Sequence, residues 1–367
     1  MMLVPLVLGL AVGATDQGAL LSRLPPAPLA VYGVAWHKRL VLPGLLEAYP
    51  MEPGGVAVDP ASGVAVFGTR DGWLHAMRPD GTLVWEKRGD NAYIAPPLVD
   101  GNVVYAATAA GQVRALELAT GEVRWSYDSK EEVAAQPVLS GGRLFLATAQ
   151  DRLFALDAKT GTWLWNHRRE GKASGFSIHG ISTPVVTGGR VYTSYSDGYV
   201  AALDAAGGQV VWERQVAPAG DYIDVDGLAT DGRRLYAAAY SGAVLALDLD
   251  SGSPLWAHRT QGASRVVVAG ALLVAVTATQ VHGLDLKTGE LRWTQPFEGN
   301  PGGLPLLAGR WLAVPAGAGG LRFLELGRGR TVRVFDPGSG ISAAPGLRDD
   351  RLYVLSNGGD LFALDLK

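Results

Sequence analysis

Two short segments combine apolar, basic and acidic side chains in a way that suits contact with another protein. The first, 175–184, reads Gly-Phe-Ser-Ile-His-Gly-Ile-Ser-Thr-Pro, and the second, 222–227, reads Tyr-Ile-Asp-Val-Asp-Gly. Apolar side chains form the centre of such a contact, and charges around them fix its register and its rate of formation. A purely structural role stays open for both segments, because aspartates before a strand often form turns and apolar loop residues can be buried beneath the loop.

The residues of common catalytic sites are missing from the sequence or widely dispersed. The chain has no cysteine, which excludes disulfides, thiolate metal sites and cysteine nucleophiles. Its six histidines are scattered without the spacing of a metal site, and no Gly-x-Ser-x-Gly nucleophile motif occurs. The glycine-rich stretch 317–320 is not followed by a helical pattern, so it does not predict a phosphate-binding loop. We therefore predict a protein that is not an enzyme, with no catalytic residues, metal site or cofactor.

A repeat of about 40 residues must position the two segments. Six repeats carry a tryptophan four residues after a glycine, and most of these carry a small-Leu-acid triplet upstream of that glycine, such as Ala155-Leu156-Asp157. Short apolar stretches and glycine-rich turns fill the remainder, which is typical of the four antiparallel strands of a propeller blade. No segment has a helical period, which argues against a helical solenoid. The recurring tryptophans are Trp85, Trp125, Trp165, Trp212, Trp256 and Trp293.

The number of repeats predicts a closed ring. Seven units follow one another from about residue 54 to 340, and the seventh has Val332–Phe335 where a tryptophan strand is expected. A last unit, 342–367, has no fourth strand, whereas Val31–Leu40 contains Trp36 in a strand without partners before it. We predict that this N-terminal strand completes the last blade and leaves no open sheet edge. The expected fold is an all-β, eight-bladed β-propeller of four-stranded antiparallel blades, spanning residues 30–367 as one domain.

Charge and the N-terminal sequence limit the partners and the location. The formal net charge is −3 without a dense Lys/Arg block, so nothing favours nucleic acid binding. Leu3–Val12 is apolar but shorter than the roughly 20 residues that span a bilayer. Small residues follow it at Gly13-Ala14, as after the apolar core of a secretory signal. We expect residues 1–20 to be a signal-like segment and the protein to be exported.

The spacing of the tryptophans marks two insertions. Trp165 and Trp212 are 47 residues apart and Trp212 and Trp256 are 44 apart, against 40 between Trp125 and Trp165. The additional residues fall between predicted strands, around 171–181 and 217–225, at the same position in successive blades. Insertions on one face of a repeat array often form its binding surface, so we place the binding site in these two segments.

The triplet, the Thr-Gly turn and the tryptophan together resemble the repeat of pyrroloquinoline-quinone-type propellers. The turn is intact at 119–121, 159–161 and 287–289. Such repeats occur in dehydrogenases, sensor domains and assembly scaffolds, so the fold alone does not give the function. The two inserted segments, the chain length, the blade count and the closing strand resemble the BamB family of outer-membrane β-barrel assembly scaffolds. In that family an apolar-x-apolar-Arg-Gly stretch precedes one blade and an Asp-Val-Asp stretch precedes the next.

This resemblance implies a scaffold that docks on a POTRA domain of BamA and aids the assembly and insertion of outer-membrane β-barrel proteins. By position, Phe176 and Ile178 are the apolar contacts, His179 the basic contact, and Asp224 and Asp226 the acidic contacts. His179 departs from the arginine of the family, and a largely neutral imidazole cannot form a bidentate pair with a carboxylate. Unfolded outer-membrane proteins are further implied partners.

The resemblance also implies a periplasmic protein associated with the outer membrane. The family is usually anchored by a lipid on an N-terminal cysteine, and because this chain has none we expect its partner to hold it there. One alternative is a ligand-sensing or polysaccharide-binding propeller with a small molecule in its central channel. A quinone-dependent dehydrogenase is a weaker alternative, since those enzymes are usually much longer and many carry an adjacent cysteine pair.

Overall fold

A computed structural model describes residues 30–42, 44, 51–169, 182–217 and 224–367. Within these ranges the regular secondary structure is entirely β, and the strands form eight four-stranded antiparallel sheets. The compact unit that contains all of them is Val31–Lys367. The structure therefore confirms the predicted eight-bladed β-propeller.

The first four blades follow the chain without interruption. Blade 1 comprises β2 (Val56–Val58), β3 (Ala65–Gly68), β4 (Trp73–Met77) and β5 (Leu83–Arg88). Blade 2 comprises β6 (Leu98–Asp100), β7 (Val103–Ala107), β8 (Gln112–Glu117) and β9 (Val123–Asp128). Blade 3 comprises β10 (Val138–Ser140), β11 (Arg143–Ala147), β12 (Arg152–Asp157) and β13 (Trp163–Arg168). Blade 4 comprises β14 (Val185–Thr187), β15 (Arg190–Ser194), β16 (Tyr199–Asp204) and β17 (Val210–Gln215).

The remaining blades repeat this order until the last. Blade 5 comprises β18 (Val225–Thr230), β19 (Arg234–Ala239), β20 (Ala243–Asp248) and β21 (Pro254–Arg259). Blade 6 comprises β22 (Arg265–Ala269), β23 (Leu272–Val276), β24 (Gln280–Asp285) and β25 (Leu291–Pro296). Blade 7 comprises β26 (Leu306–Ala308), β27 (Trp311–Ala316), β28 (Gly320–Glu325) and β29 (Thr331–Phe335). Blade 8 comprises β30 (Gly346–Arg348), β31 (Arg351–Leu355), β32 (Asp360–Leu366) and β1 (Tyr32–Arg39).

The N-terminal strand closes the ring as predicted. β1 pairs with β32 in antiparallel register, and Trp36 lies opposite Ala363. The backbone N–H of Lys367 also donates to the carbonyl of Val31 at 3.0 Å. The last blade is therefore built from both ends of the ring-forming chain, and its outer strand obtains the backbone partners that a lone strand lacks.

Successive blades are joined by a contact between the tryptophan of one blade and the glycine of the next. Gly161 has a φ of +72°, and a Cβ atom added there would lie 2.5 Å from the ring of Trp125, so only glycine fits beneath the indole. The indole N–H of Trp125 donates to the carbonyl of Ala158 in the same turn at 3.0 Å. Six other seams repeat the ring contact: Trp36 with Gly81, Trp85 with Gly121, Trp165 with Gly208, Trp212 with Gly252, Trp256 with Gly289, and Trp293 with Gly329.

The irregular seventh blade has a structural reason. The neighbouring blade 8 has no turn between its third and fourth strands, because these are β32 and β1, the last and first strands in chain order. No turn glycine can therefore receive a tryptophan there. Arg333 occupies the tryptophan position and lies opposite Phe323, where blade 3 pairs Trp165 with Ala155. Tyr32 fills this seam instead. Its ring stacks on Phe323 with centroids 5.3 Å apart, and its hydroxyl donates to the carbonyl of Val334 at 3.2 Å.

The repeated aspartates of the small-Leu-acid triplets form turns. The Oδ1 atom of Asp157 accepts the backbone N–H groups of Lys159 at 3.1 Å and Thr160 at 2.8 Å. The corresponding aspartates 204, 248 and 285 accept the same pair of N–H groups in their own blades. Each therefore orders the turn that carries the tryptophan-receiving glycine.

Two glycines of blade 3 provide a matched test of the seam. Gly161 and Gly142 have φ values of +72° and +73°, but nothing lies within 4 Å of a Cβ added at Gly142. We predict that Gly142→Ala costs about 1–2 kcal/mol through its left-handed backbone alone. Gly161→Ala should cost about 1–3 kcal/mol more, because the methyl group displaces Trp125. Chemical denaturation measures both, and equal losses would contradict the proposed importance of the tryptophan contact.

Candidate interaction face

The two predicted segments belong to connections that start and end on the same face of the ring. Because strands alternate in direction within each blade, every fourth strand ends, and every following first strand begins, on this face. We call it the connection face. It comprises the turns between second and third strands and the ends of the connections 40–55, 89–97, 129–137, 169–184, 216–224, 260–264, 297–305 and 336–345. Of the predicted contacts, Phe176, Ile178 and His179 lie outside the described residues, whereas Asp224 and Asp226 lie within them.

The connection 169–184, which contains the first predicted segment, begins at Arg169, and this arginine is bound to blade 4. Nε of Arg169 donates to Asp197 at 2.7 Å, and Nη1 donates to Glu213 at 2.9 Å. Its guanidinium carbon lies 3.4 Å from the centre of the Tyr199 ring. Burial opposes the charge of Arg169, but the two carboxylates outweigh it and raise the pKa of this guanidinium. Arg169 therefore fixes the point where the connection begins.

The other end of this connection is linked to the end of the next one. The hydroxyls of Ser182 and Ser194 are 2.5 Å apart, and the hydroxyl of Ser194 donates to the carbonyl of Val225 at 2.7 Å. Ser182 lies near the end of the first predicted segment, and Val225 lies between the two aspartates of the second. All three groups are buried. The structure thus brings the described ends of the two segments together across blades 4 and 5.

Asp224 and Asp226 are buried at the start of blade 5. β18 has six residues, whereas β10 and β14 have three each, and its register shifts between Val225 and Gly227, which places Asp226 in a β-bulge. The exposed fractions are 7% for Asp224 and 3% for Asp226. The carbonyl of Asp224 accepts the N–H of Tyr240 at 3.0 Å. In the isolated chain these two residues therefore shape the base of the second connection and present little surface to a partner.

The carboxyl of Asp226 interacts with the guanidinium of Arg265 in the next blade. Burial raises the pKa of Asp226 to about 8, Asp224 adds to the rise, and the guanidinium of Arg265 opposes it. Arg265 begins β22 in the next blade; its Nε donates to Gly302 O at 3.1 Å and its Nη1 to Ser264 O at 2.8 Å. Burial lowers the pKa of Arg265, and Asp226 counteracts this. A partner 39 residues away leaves no local pattern, so only the alignment of blades could have indicated it.

The rings of two histidines on neighbouring blades approach one another. The rings of His258 and His282 have centroids 5.9 Å apart, and burial lowers the pKa of both. In the part of the chain that the structure describes, no group of three or more His, Cys, Asp or Glu residues could hold a metal ion. The same part of the chain contains no helix with the length and apolarity needed to cross a bilayer.

Comparisons with known proteins place the chain among large propellers. The sequence matches the family described as "Outer membrane protein assembly factor BamB" over residues 11–132 and 70–295. BamB from Moraxella catarrhalis has a similar structure, with a TM-score of 0.79, 21% identity, and coverage of 91% of this chain and 100% of that one. A computationally designed protein, Ika8, has a TM-score of 0.72 and 17% identity, with coverage of 88% of this chain and 99% of that one. The quinohemoprotein alcohol dehydrogenase ADHIIG from Pseudomonas putida HK5 has a TM-score of 0.72 and 16% identity, with coverage of 91% of this chain and 76% of that one. No functionally curated protein matches the sequence.

The raised pKa of Asp226 predicts a pH-dependent stability. An unfolded aspartate titrates near pH 3.9, whereas Asp226 in the folded protein titrates near 8, so the folded state binds more protons between these values. The contribution of this residue to stability should therefore fall as pH rises from about 4 to about 8. We predict that the melting temperature of Asp226→Asn, relative to the unsubstituted protein, rises between pH 5 and pH 8.5, as calorimetry can measure.

The same measurement has an internal control. Burial also raises the pKa of Glu52, to about 7, but Glu52 is present in both proteins and its effect cancels in the comparison. A difference in melting temperature that stays constant with pH would show that Asp226 does not titrate in this range.

Proposed function

The chain belongs to the family of the outer membrane protein assembly factor BamB, and on this basis we propose that it is a non-catalytic scaffold of β-barrel assembly. In this proposal its connection face docks on a POTRA domain of a BamA-like subunit. The bound scaffold then aids the assembly and insertion of unfolded outer-membrane proteins. It acts in the periplasm and is associated with the outer membrane through this partner.

The observation that carries the proposal is the link between the two inserted connections. Ser182, Ser194 and Val225 form one buried hydrogen-bonded chain across blades 4 and 5. Arg169 binds the start of the first connection to blade 4 through Asp197 and Glu213. Both connections therefore start from or return to rigid strands at fixed positions. Such preorganisation reduces the entropy lost when a surface binds its partner.

The proposed contacts divide into two roles. We assign the direct contacts with the POTRA domain to Phe176, Ile178 and His179, which supply the apolar and basic groups of the docking surface. Asp224 and Asp226 are buried, so we assign them the positioning of the second connection through the bulge in β18 and the charge of Arg265. Docking itself requires no ionised carboxylate at these two positions in this arrangement.

Calorimetric titration with the POTRA domains of the BamA subunit from the same organism tests the proposal. Ile178→Asp places a charge in the proposed apolar contact, and we expect at least about a tenfold loss of affinity, or about 1.4 kcal/mol. Leu291→Asp is the matched control, because Leu291 is an exposed apolar residue (49%) on the outer strand of blade 6. It should bind as the unsubstituted protein does.

Two outcomes would refute the assignment. One is the absence of binding to any POTRA domain at micromolar concentrations by the folded, unsubstituted chain. The other is a loss of affinity in Leu291→Asp that equals the loss in Ile178→Asp, since docking would then not depend on the inserted connections.

A further inference from the structure

The connection face also contains an open cavity of about 710 Å³. Its walls come from blades 6, 7, 8 and 1, whereas the inserted connections join blades 3, 4 and 5. The walls consist of the connections 297–305 and 336–345, two residues that precede blade 1, and the second turns of blades 7 and 8. The volume lies within the range of about 300–1,000 Å³ found for small-molecule sites.

Glycines allow two of these walls to meet backbone against backbone. A Cβ atom at Gly302 would lie 2.7 Å from the carbonyl oxygen of Ile341, and one at Gly303 would lie 2.3 Å from the backbone nitrogen of Ala344. Larger residues at these positions would separate the two connections. The cavity is therefore lined to a large extent by peptide groups, which offer hydrogen bonds at fixed positions.

One asparagine holds three parts of the wall in place. Oδ1 of Asn357 accepts the backbone N–H groups of Glu52 at 3.2 Å and Ser342 at 3.1 Å, and Nδ2 donates to the carbonyl of Gly317 at 2.9 Å. These three partners belong to three different connections or turns around the cavity. The cavity is thus formed by the folded ring itself and does not need a ligand to assemble it.

The charge of the lining is positive. Among the described residues that line the cavity, Arg265 is the only ionisable one, and it stays protonated as arginines do in proteins. Burial raises the pKa of Asp226, the carboxyl that interacts with Arg265, to about 8, which weakens its compensation of the arginine's charge near neutral pH. Glu52 lies behind the wall and forms an ion pair with Arg70. The positive charge of Arg265 is therefore only partly compensated within the site.

The other side chains around the cavity are uncharged. Asn300, Ser339, Ser342 and Asn357 supply polar groups, and Met51, Pro53, Pro301 and Ala318 supply apolar surface. Amides and hydroxyls both donate and accept hydrogen bonds, which suits a ligand that carries several hydroxyl groups. The cation suits a carboxylate, with which a guanidinium can form two parallel hydrogen bonds.

We propose that this cavity is a binding site for a small polyhydroxylated carboxylate of the sugar-acid class. The carboxylate lies at Arg265, and the hydroxyl groups contact Asn300, Ser339 and the peptide groups of the surrounding wall. The described residues that line this site include none of the proposed POTRA contacts of 176–179, so either assignment can fail without the other.

Ligand-observed NMR with glucuronate and glucose as probes tests the proposal, because the two sugars differ in the carboxylate alone. We expect glucuronate to bind in the millimolar range and glucose to bind at least about tenfold more weakly. Asn300→Ala should weaken glucuronate binding, and Arg265→Met should abolish the preference for glucuronate. Arg259→Met is the control, since Arg259 is an exposed arginine on the outer strand of blade 5 and does not line this cavity.

Melting temperatures show which variants are folded, and Asn300→Ala keeps the test valid if Arg265→Met unfolds the protein. Equal binding of the two sugars would overturn the proposal, as would the absence of glucuronate binding at millimolar concentration. It would also be overturned if folded Arg265→Met or Asn300→Ala bound glucuronate as tightly as Arg259→Met does.

Discussion

The placement of a tryptophan from one blade on a glycine of the next is the contact on which the rest of this structure depends. The ring touches a turn in which glycine has a positive φ and no room for a Cβ atom. The indole N–H then binds a carbonyl of the same turn at several seams, as Trp125 and Trp293 do. Since the ring at each seam packs between two blades, a fault at one seam exposes apolar surface on both of them.

A ring held together in this way leaves its connections free to vary. The seams occupy the turns between third and fourth strands, on the face opposite the connection face. Long connections between blades 3, 4 and 5 therefore leave the seams intact, and hydrogen bonds at Ser182 and Arg169 hold the ends of these connections. Arg265 lies where the two halves of the face meet, because it faces Asp226 on one side and the cavity on the other.

Most of the fold could be predicted from the sequence, because the repeat predicts the four strands of each blade and the strand that contains Trp36 predicts how the ring closes. The partner of each tryptophan could not, since it lies in the next blade and the spacing within one repeat does not reveal it. The burial of Asp224 and Asp226 was also hidden, because it depends on a β-bulge and on Arg265 in another blade. The cavity was hidden for a similar reason: connections from distant parts of the chain build its walls.

The central claim is that the inserted connections of blades 3 to 5 form the docking surface for a POTRA domain. Hydrogen–deuterium exchange of the full chain, with and without a saturating POTRA domain, tests it most directly. We expect slower exchange in peptides that cover 170–181 and 218–226, with unchanged exchange in the outer strands of blades 6 and 7. Protection confined to those outer strands, with none in the two connections, would contradict it.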